Sequence, residues 1–285
     1  MKHKPIIIKI DNLTQYKIDT HLIESLKNVQ WRIQSNNYNE LIAEVLDDTV
    51  KAIGMSWNNP NHPFAKYIHV SGTVSNELMN ELLIHQPPHD RIIFSCWENE
   101  LEKIQLIQQF QFQLFRKTFM ENYMINDLLQ KLKVMEEPGL MVPLEQILKQ
   151  PNLEEDLFKL LKYSYEHTHL HNPAKEVAWQ TWKDSFINDS PDLQLSFTVM
   201  ENNRITAFIF LHPVNDDHYE IGWVGNQSNT NLLPILKQQL NQLCDKGIKT
   251  VEFEVDTTDY NAWQFAEILD LNTKLSWNSY ILKSG

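Results

Sequence analysis

The sequence predicts a mixed α/β protein, with α+β mixed sheets, built from two copies of one plan. Its length of 285 residues favours two domains, and its 42% of apolar residues suffices for packed cores. Strand and helix periods also alternate in a similar order in two successive passages. The joint between the passages lies around residues 121–139, so the predicted domains span 1–130 and 131–285.

The first passage combines apolar alternation with clusters of turn-forming residues. It predicts strands at 5–11, 41–46, 50–57, 64–70, 91–95 and 112–120, and helices at 13–29, 76–85 and 98–110.

The second passage contains a clear amphipathic helix, in which Leu157, Leu160 and Leu161 recur at helical spacing. Gly247 is placed to close a later helix, because glycine is favoured just past a helix C-terminus. This passage predicts strands at 140–146, 193–200, 205–212, 218–225, 250–255 and 274–282, and helices at 153–167, 175–187, 232–246 and 259–269.

Composition excludes several classes of function. A formal net charge of −12 opposes a nucleic-acid partner, which needs a basic face. The seven glycines never take the spacing of a dinucleotide fingerprint or a Walker A loop. We expect no signal peptide and no membrane segment. Cys96 and Cys244 lack metal or redox spacing, which predicts reduced, buried thiols in a cytoplasmic protein.

Several segments of the second passage carry a resemblance. The run Tyr-Glu-Ile-Gly-Trp-Val at 219–224 precedes a polar loop, 227–232, and the pair Ile-Leu at 235–236. A strand at 251–255 and a helix at 259–271 follow. This series resembles the fourth strand, acyl-CoA loop, following helix, fifth strand and next helix of the GNAT superfamily of N-acetyltransferases. The first passage matches only by element order, so the chain resembles a tandem GNAT protein with a degenerate N-terminal copy.

The resemblance implies two GNAT-like acyl-CoA N-acyltransferase domains that move an acetyl group from acetyl-CoA to a primary amine of a small molecule or protein. It places Glu220 at the acceptor cleft as the general base, because a carboxylate can take a proton from an ammonium directly or through water. Pantetheine is expected on the backbone where the fourth and fifth strands splay, and the pyrophosphate on the loop that follows. The implied cofactor-binding residues are Trp223, Val224, Gly225, Gln227, Ser228, Asn229, Thr230, Asn231 and Leu232. The implied acceptor contacts are Tyr165, Thr168 and His169.

The loop departs from the family pattern, since Thr230 and Leu232 replace its two glycines. Asn226, Asn229 and Asn231 are the residues best able to substitute, because asparagine tolerates the left-handed region. The same residue types also cap helices, so phosphate binding and plain capping are both open.

The helix that follows the fifth strand departs too. Ala266 stands where the family has the tyrosine that usually serves as general acid, and Asp270 and Asp259 replace a glycine and an asparagine. The general acid is therefore unassigned.

Alternatives accompany each of these functional predictions. Glu220 could be a solvated strand residue, and Tyr165, Thr168 and His169 could lie in a surface loop. The chain could be a catalytically inactive GNAT-fold binding or regulatory module, such as a CoA sensor, or an unrelated α/β protein.

Three alternating histidines at 167, 169 and 171 suggest a metal cluster, but no acidic or cysteine ligand lies at a recognised spacing. No metal is therefore expected. The expected partners are acetyl-CoA and an amine, without nucleic acid or membrane, and the sequence does not fix the oligomeric state.

Overall fold

The computed structural model describes residues 5–10, 13–73, 75–84, 91–132, 139–227 and 230–283. The strands within these ranges are β1 (Ile6–Lys9), β2 (Lys17–Ile18), β3 (Glu40–Leu46), β4 (Thr49–Asn59), β5 (His62–Gly72), β6 (Arg91–Trp97), β7 (Gln113–Met124), β8 (Leu140–Pro143), β9 (Phe197–Glu201), β10 (Arg204–Asn215), β11 (His218–Asn226), β12 (Thr250–Asp256) and β13 (Trp277–Leu282). The α-helices are α1 (Thr20–Ser25), α2 (Gln30–Gln34), α3 (Asn76–Ile84), α4 (Leu101–Gln109), α5 (Ile125–Lys131), α6 (Leu144–Ile147), α7 (Pro151–Thr168), α8 (Trp179–Asn188), α9 (Leu233–Asp245) and α10 (Tyr260–Ile268).

The chain forms two compact units whose bounds differ from the predicted domains. The first unit comprises Met1–Arg116, His171–Lys175 and Trp277–Gly285, and the second comprises Lys117–Leu170 and Glu176–Ser276, each as far as its residues are described. The division therefore falls within β7 rather than near residue 130. The C-terminal strand, β13, belongs to the first unit. Local periodicity carries no information about which distant strand a segment will pair with.

In the first unit, β3, β4 and β5 form an antiparallel meander, and β1 pairs antiparallel with β3. The next strand, β6, runs parallel to β5, and β13 pairs antiparallel with β6. Buried apolar side chains on both faces of this sheet form separate clusters, which include Leu78 and Phe94 on one face and Leu22 and Ile53 on the other.

The second unit repeats this order with other strands. An antiparallel meander of β9, β10 and β11 is followed by β12, which runs parallel to β11. The closing strand is β7, which pairs antiparallel with β12, while β8 borders β9. The repeated order confirms the predicted mixed α/β plan in both copies.

Helices cover both faces of the second sheet. Leu236 of α9 and Phe265 of α10 belong to the apolar cluster on one face, together with Ile221 of β11. Phe158 of α7 and Phe186 of α8 belong to the cluster on the other face. Side chains of successive strand residues point to opposite faces, so β11 presents alternate residues to each layer.

Two predicted helices are shorter than the sequence suggested. Residues 13–29 contain a 3₁₀ turn (Leu13–Gln15), the strand β2 and then α1, and the Asp19 side chain caps α1 by accepting the His21 amide. Asp19 therefore marks the start of α1, which the helical spacing of the apolar residues does not reveal. Residues 175–178 likewise precede α8 instead of opening it. The closing glycine was predicted correctly, since Gly247 follows α9 with a φ of +84°.

The two cysteines have different environments. Cys96 is buried as predicted, and burial raises the pKa of its thiol to about 12. Cys244 was predicted to be buried, but the structure shows it exposed. It lies on α9 directly after the buried Leu243, at the edge of the apolar face, with its sulfur 3.7 Å from Asn126 Oδ1.

These environments predict the thiol chemistry, since exposed thiols form the reactive thiolate far more readily than buried ones. With a disulfide reagent such as dithionitrobenzoate, we expect one thiol to react in the native protein and the second only in denaturant. Cys244→Ser should remove the fast reaction. A fast reaction that persists in this variant would contradict the burial of Cys96.

Among the described residues, every helix is either too short or too polar to span a bilayer.

Candidate functional site

The pairing of β11 defines an opening at one edge of this strand. Phe210 of β10 is the register partner of Trp223, whereas Leu211 is the partner of Ile221, so Gly222 is an extra, bulged residue. The parallel pairing of β11 with β12 ends at Ile221 opposite Phe253. After Ile221, β11 no longer pairs with β12, so its backbone on that edge is open. This agrees with the separation of the two strands expected at Trp223–Gly225.

Glu220 lies two residues before the bulge and is half-buried. Its register partners are Glu252 on β12 and His212 on β10, which place all three side chains on one face of the sheet. Burial raises the pKa of Glu220 above its ordinary value, the carboxylates of Glu252 and Asp189 raise it further, and His218 opposes them. A carboxyl of raised pKa is suited to accept a proton near neutral pH.

Asp189, at the C-terminus of α8, joins this face to the bulge. Its Oδ2 accepts a hydrogen bond of 3.3 Å from Trp223 Nε1 and lies 3.3 Å from His212 Nε2. The His212 ring lies under the bulge, where a Cβ on Gly222 would come within 2.6 Å of His212 Nδ1. Glycine at 222 is therefore a steric requirement of this histidine.

The predicted acceptor contacts lie at the end of α7. The Tyr165 ring is stacked 5.5 Å from Trp223 and lies 4.7 Å from Trp182, so the structure brings Tyr165 to the bulged strand. Thr168 Oγ1 donates to the Tyr165 carbonyl at 2.9 Å, and His169 Nδ1 lies 2.9 Å from the same oxygen. Both side chains therefore bind back to their own helix end.

The predicted pyrophosphate loop is held by its own side chains. Asn226 donates through Nδ2 to the Thr230 carbonyl at 2.7 Å and accepts the Thr230 amide at 3.1 Å. Asn231 accepts the Leu233 amide at 3.1 Å, a capping interaction at the start of α9. Leu232 is buried, and Ser228 and Asn229 lie outside the described residues.

Gln227 connects this loop to a cavity of about 420 Å³ between α7 and the start of β10. The backbone N–H of Gln227 donates to the Thr206 carbonyl at 2.9 Å. Lys159 and Arg204 bring positive charge to the cavity wall, and Asp156 and Tyr163 complete its polar lining.

Ala266, at the position where the resemblance implies a tyrosine, is buried in α10 against the core. Asp270 has a left-handed backbone, with a φ of +45°, a conformation that glycine adopts most readily. Asp259 accepts the amides of Asn261 and Ala262 as the N-cap of α10. Two of the three departures in this helix are thus structurally accommodated, while Ala266 provides no proton.

Comparison with solved structures decides the fold. A GCN5-related N-acetyltransferase from Sphaerobacter thermophilus matches 98% of this chain over 96% of its own, with a TM-score of 0.58 at 10% identity. A tandem GNAT protein from the clavulanic acid biosynthesis pathway matches 99% over 99%, with a TM-score of 0.53 at 7% identity. The chain has the tandem GNAT fold.

A third structure with this likeness contains a glucosamine N-acetyltransferase region in a fungal multi-domain β-N-acetylglucosaminidase. The match covers 98% of this chain and 38% of the fungal protein, with a TM-score of 0.54 at 10% identity. No protein-family model matches the sequence, and no curated protein matches it. The likeness to GNAT proteins is therefore one of fold.

Within the tandem GNAT fold, sequence reasoning missed Asp189, His212 and Glu252. Alternation along β10 was a usable signal for His212, because Phe208 and Phe210 precede it at the spacing of one strand face. Nothing local indicates Asp189, which approaches Trp223 across 34 positions of sequence.

The histidine run does not form one site. His167 Nδ1 lies 2.7 Å from the Tyr163 carbonyl, and the His171 ring lies 5.0 Å from Phe115 in the first unit. In the described part of the chain, no group of three metal-ligating side chains is close enough to hold an ion.

Proposed function

We propose that this tandem GNAT protein is an N-acetyltransferase that moves an acetyl group from acetyl-CoA to a primary amine. The observation that carries the proposal is the open edge of β11 after the Gly222 bulge, directly beside the half-buried carboxyl of Glu220. An extended chain with amide groups can pair with such an edge as an added strand, and pantetheine is a chain of this kind.

The residues around this edge suit the pantetheine part of acetyl-CoA better than its diphosphate. The backbone at Trp223–Gly225 suits the pantetheine arm. The amides of Thr230 and Leu233 are engaged by asparagine side chains, and Pro234 has no amide hydrogen, so the start of α9 offers little to a diphosphate. Arg204 and Lys159, on the cavity beside Gln227, supply the positive charge that phosphates need.

Residues of this chain have two roles in the proposed reaction: one accepts a proton, and others stabilise a developing negative charge. Acetyl-CoA supplies the activated acyl group. Glu220 takes one proton from the acceptor ammonium, and the amine nitrogen then attacks the thioester carbon, forming the C–N bond as the C–S bond breaks. Backbone N–H groups of the open β11 edge stabilise the developing oxyanion. The nitrogen loses its second proton to water as the amide forms, and the thiolate takes a proton from water, so that an N-acetylated amine and free CoA result.

A second candidate is a GNAT-fold module that binds acetyl-CoA without transferring its acetyl group. It is favoured by Ala266, which removes the family's acid, and by the self-satisfied loop at Asn226–Leu233. For either function we place the protein in the cytoplasm, where acetyl-CoA is available and free thiols such as Cys96 and Cys244 stay reduced.

Calorimetric titration with acetyl-CoA tests the binding step. Arg204→Glu should weaken the affinity by about tenfold or more, since one lost charge-assisted contact costs about 1.5–3 kcal/mol. Lys246→Glu makes the same charge change at the far end of α9, about 20 Å along the helix, and should change the affinity less than twofold.

Absence of binding at millimolar acetyl-CoA would overturn both candidate functions. Equal effects of the two charge reversals would remove Arg204 from the phosphate site. Thiol release with a panel of amines then distinguishes the enzyme from the binding module.

A further inference from the structure

The cavity beside Gln227 lies in line with the proposed transfer site along β11. Glu220 stands at the reacting end, the open edge at Trp223–Gly225 suits the pantetheine arm, and Gln227, just past the end of the strand, lines the cavity. A strand rises about 3.3 Å per residue, so Gln227 is about 20 Å along the strand from Glu220. The cavity is therefore where the extended arm of acetyl-CoA ends and its nucleotide begins.

The cavity also lies on the same face of the sheet as the transfer site. Ile205 of β10 and Leu160 of α7 line it, and both belong to the apolar cluster that contains Phe210. Trp223, which follows the bulge, packs against that same cluster. One extended ligand can thus occupy both places without crossing the sheet.

One wall of the cavity is an aromatic platform on α7. Tyr163 lines the cavity and is 44% exposed. The ring of His167, one turn further along α7, lies 3.9 Å from the Tyr163 ring, and its Nδ1 is 2.7 Å from the Tyr163 carbonyl oxygen. The tyrosine ring is therefore supported by a second ring that is itself held in place. Exposed aromatic rings of this kind are the surfaces on which nucleic acid bases stack.

The polar groups of the cavity suit an adenine nucleotide. Within the described ranges, the Arg204 guanidinium makes neither an ion pair nor a side-chain hydrogen bond, whereas Lys159 pairs with Glu155 at 2.7 Å. Arg204 is therefore the cation left for a phosphate, which an arginine can bind through two parallel hydrogen bonds. The carboxylate of Asp156, also on the cavity wall, can accept a hydrogen bond from the exocyclic amino group of adenine.

On the proposed function, we infer that this cavity holds the adenine nucleotide of the donor, with the base stacked on Tyr163, so that the donor is a free CoA thioester. A thioester carried on a protein through phosphopantetheine has the same arm but no nucleotide, and it would leave these contacts unused. The start of α9 offers little to the diphosphate, so the nucleotide contacts supply a large share of the affinity. Tyr163 thus selects the donor and takes no part in bond making or breaking.

Direct binding tests this inference without any turnover. In calorimetry, CoA should bind the protein about tenfold or more tightly than 4′-phosphopantetheine, which has the same arm and ends where the nucleotide begins. Tyr163→Ala should weaken CoA binding about tenfold and change the affinity for 4′-phosphopantetheine less than about twofold, because only the base loses its stacking partner. Tyr163→Phe is the matched control: it keeps the ring, so its affinity for CoA should stay within about twofold of that of the unaltered protein.

Equal affinities for CoA and 4′-phosphopantetheine would overturn the inference, as would equal losses of CoA affinity in Tyr163→Ala and Tyr163→Phe. Thiol release distinguishes this failure from failure of the proposed function. Equal kcat/KM for acetyl-CoA and S-acetyl-4′-phosphopantetheine would support the transferase and overturn the nucleotide site. CoA binding that depends on the Tyr163 ring, without thiol release from acetyl-CoA with any amine, would support the nucleotide site and overturn the transferase.

Discussion

Replacing Glu220 with glutamine is expected to lower kcat for acetyl transfer by about 10²–10⁴-fold, the usual contribution of a general base. The amide keeps the size of the side chain but cannot take the proton from the acceptor ammonium. In the unaltered protein, kcat/KM should rise with pH as Glu220 loses its proton. Because the pKa of Glu220 is raised, this rise is expected above the ordinary carboxyl range. Glu220→Gln should lose that limb of the profile.

Thiol release measured across pH checks this prediction, with acetyl-CoA calorimetry as the test of folding. Glu145→Gln is the matched control, because Glu145 lies on α6 in an exposed ion pair with Lys149. We expect its turnover and pH profile to stay unchanged. Full turnover in Glu220→Gln would show that another group, or water alone, accepts the proton.

Gly72→Ala is expected to destabilise the first unit by about 3 kcal/mol, from backbone strain together with a steric clash. Gly72 ends β5 with a φ of +86°, where a side chain is strained. A Cβ there would also lie 2.3 Å from the Lys51 carbonyl oxygen and 2.9 Å from the Ala52 Cα. Both atoms belong to the neighbouring strand β4, which cannot move aside without breaking its pairing.

Gly247→Ala separates the two causes. Gly247 has a similar φ of +84°, but no atom lies within 4 Å of the position that a Cβ would take there, so only strain of about 1 kcal/mol is expected. Urea unfolding should show a midpoint shift for Gly72→Ala about three times that for Gly247→Ala. Similar shifts in the two variants would mean that the close approach to Lys51 does not hold in the protein.

Most elements could be predicted because their signals are local. The meander strands either alternate in polarity, as β11 does, or run apolar, as β10 does, between clusters of turn formers, and α9 runs from an apolar stripe to the glycine that ends it. The predicted helix at 13–29 failed because its apolar residues fit a helical period, while Asp19 and the short β2 divide the segment. A cap can override a periodic pattern of this length.

The site was only partly predictable, because only some of its residues have signals that are local in the sequence. Glu220 and Trp223 lie within one strand whose motif is continuous in sequence, and Tyr165 was placed by the helix that precedes the meander. Asp189 and His212 join them only through the register of β10 against β11 and the position at which α8 ends. Register is a property of the folded sheet, and a one-residue shift would send His212 to the opposite face.

The closing strands of the two units also set an order of events during synthesis. The second unit uses β7, which the ribosome makes early, and has all of its strands once Asp256 has emerged. The first unit lacks its last strand until Leu282 has been made, although its strands β1 to β6 are complete at Trp97. Until then β6 presents an unpaired edge, and such edges promote association between chains. The half of the protein that is translated first is therefore expected to finish folding last, exposed to misassembly for most of its synthesis.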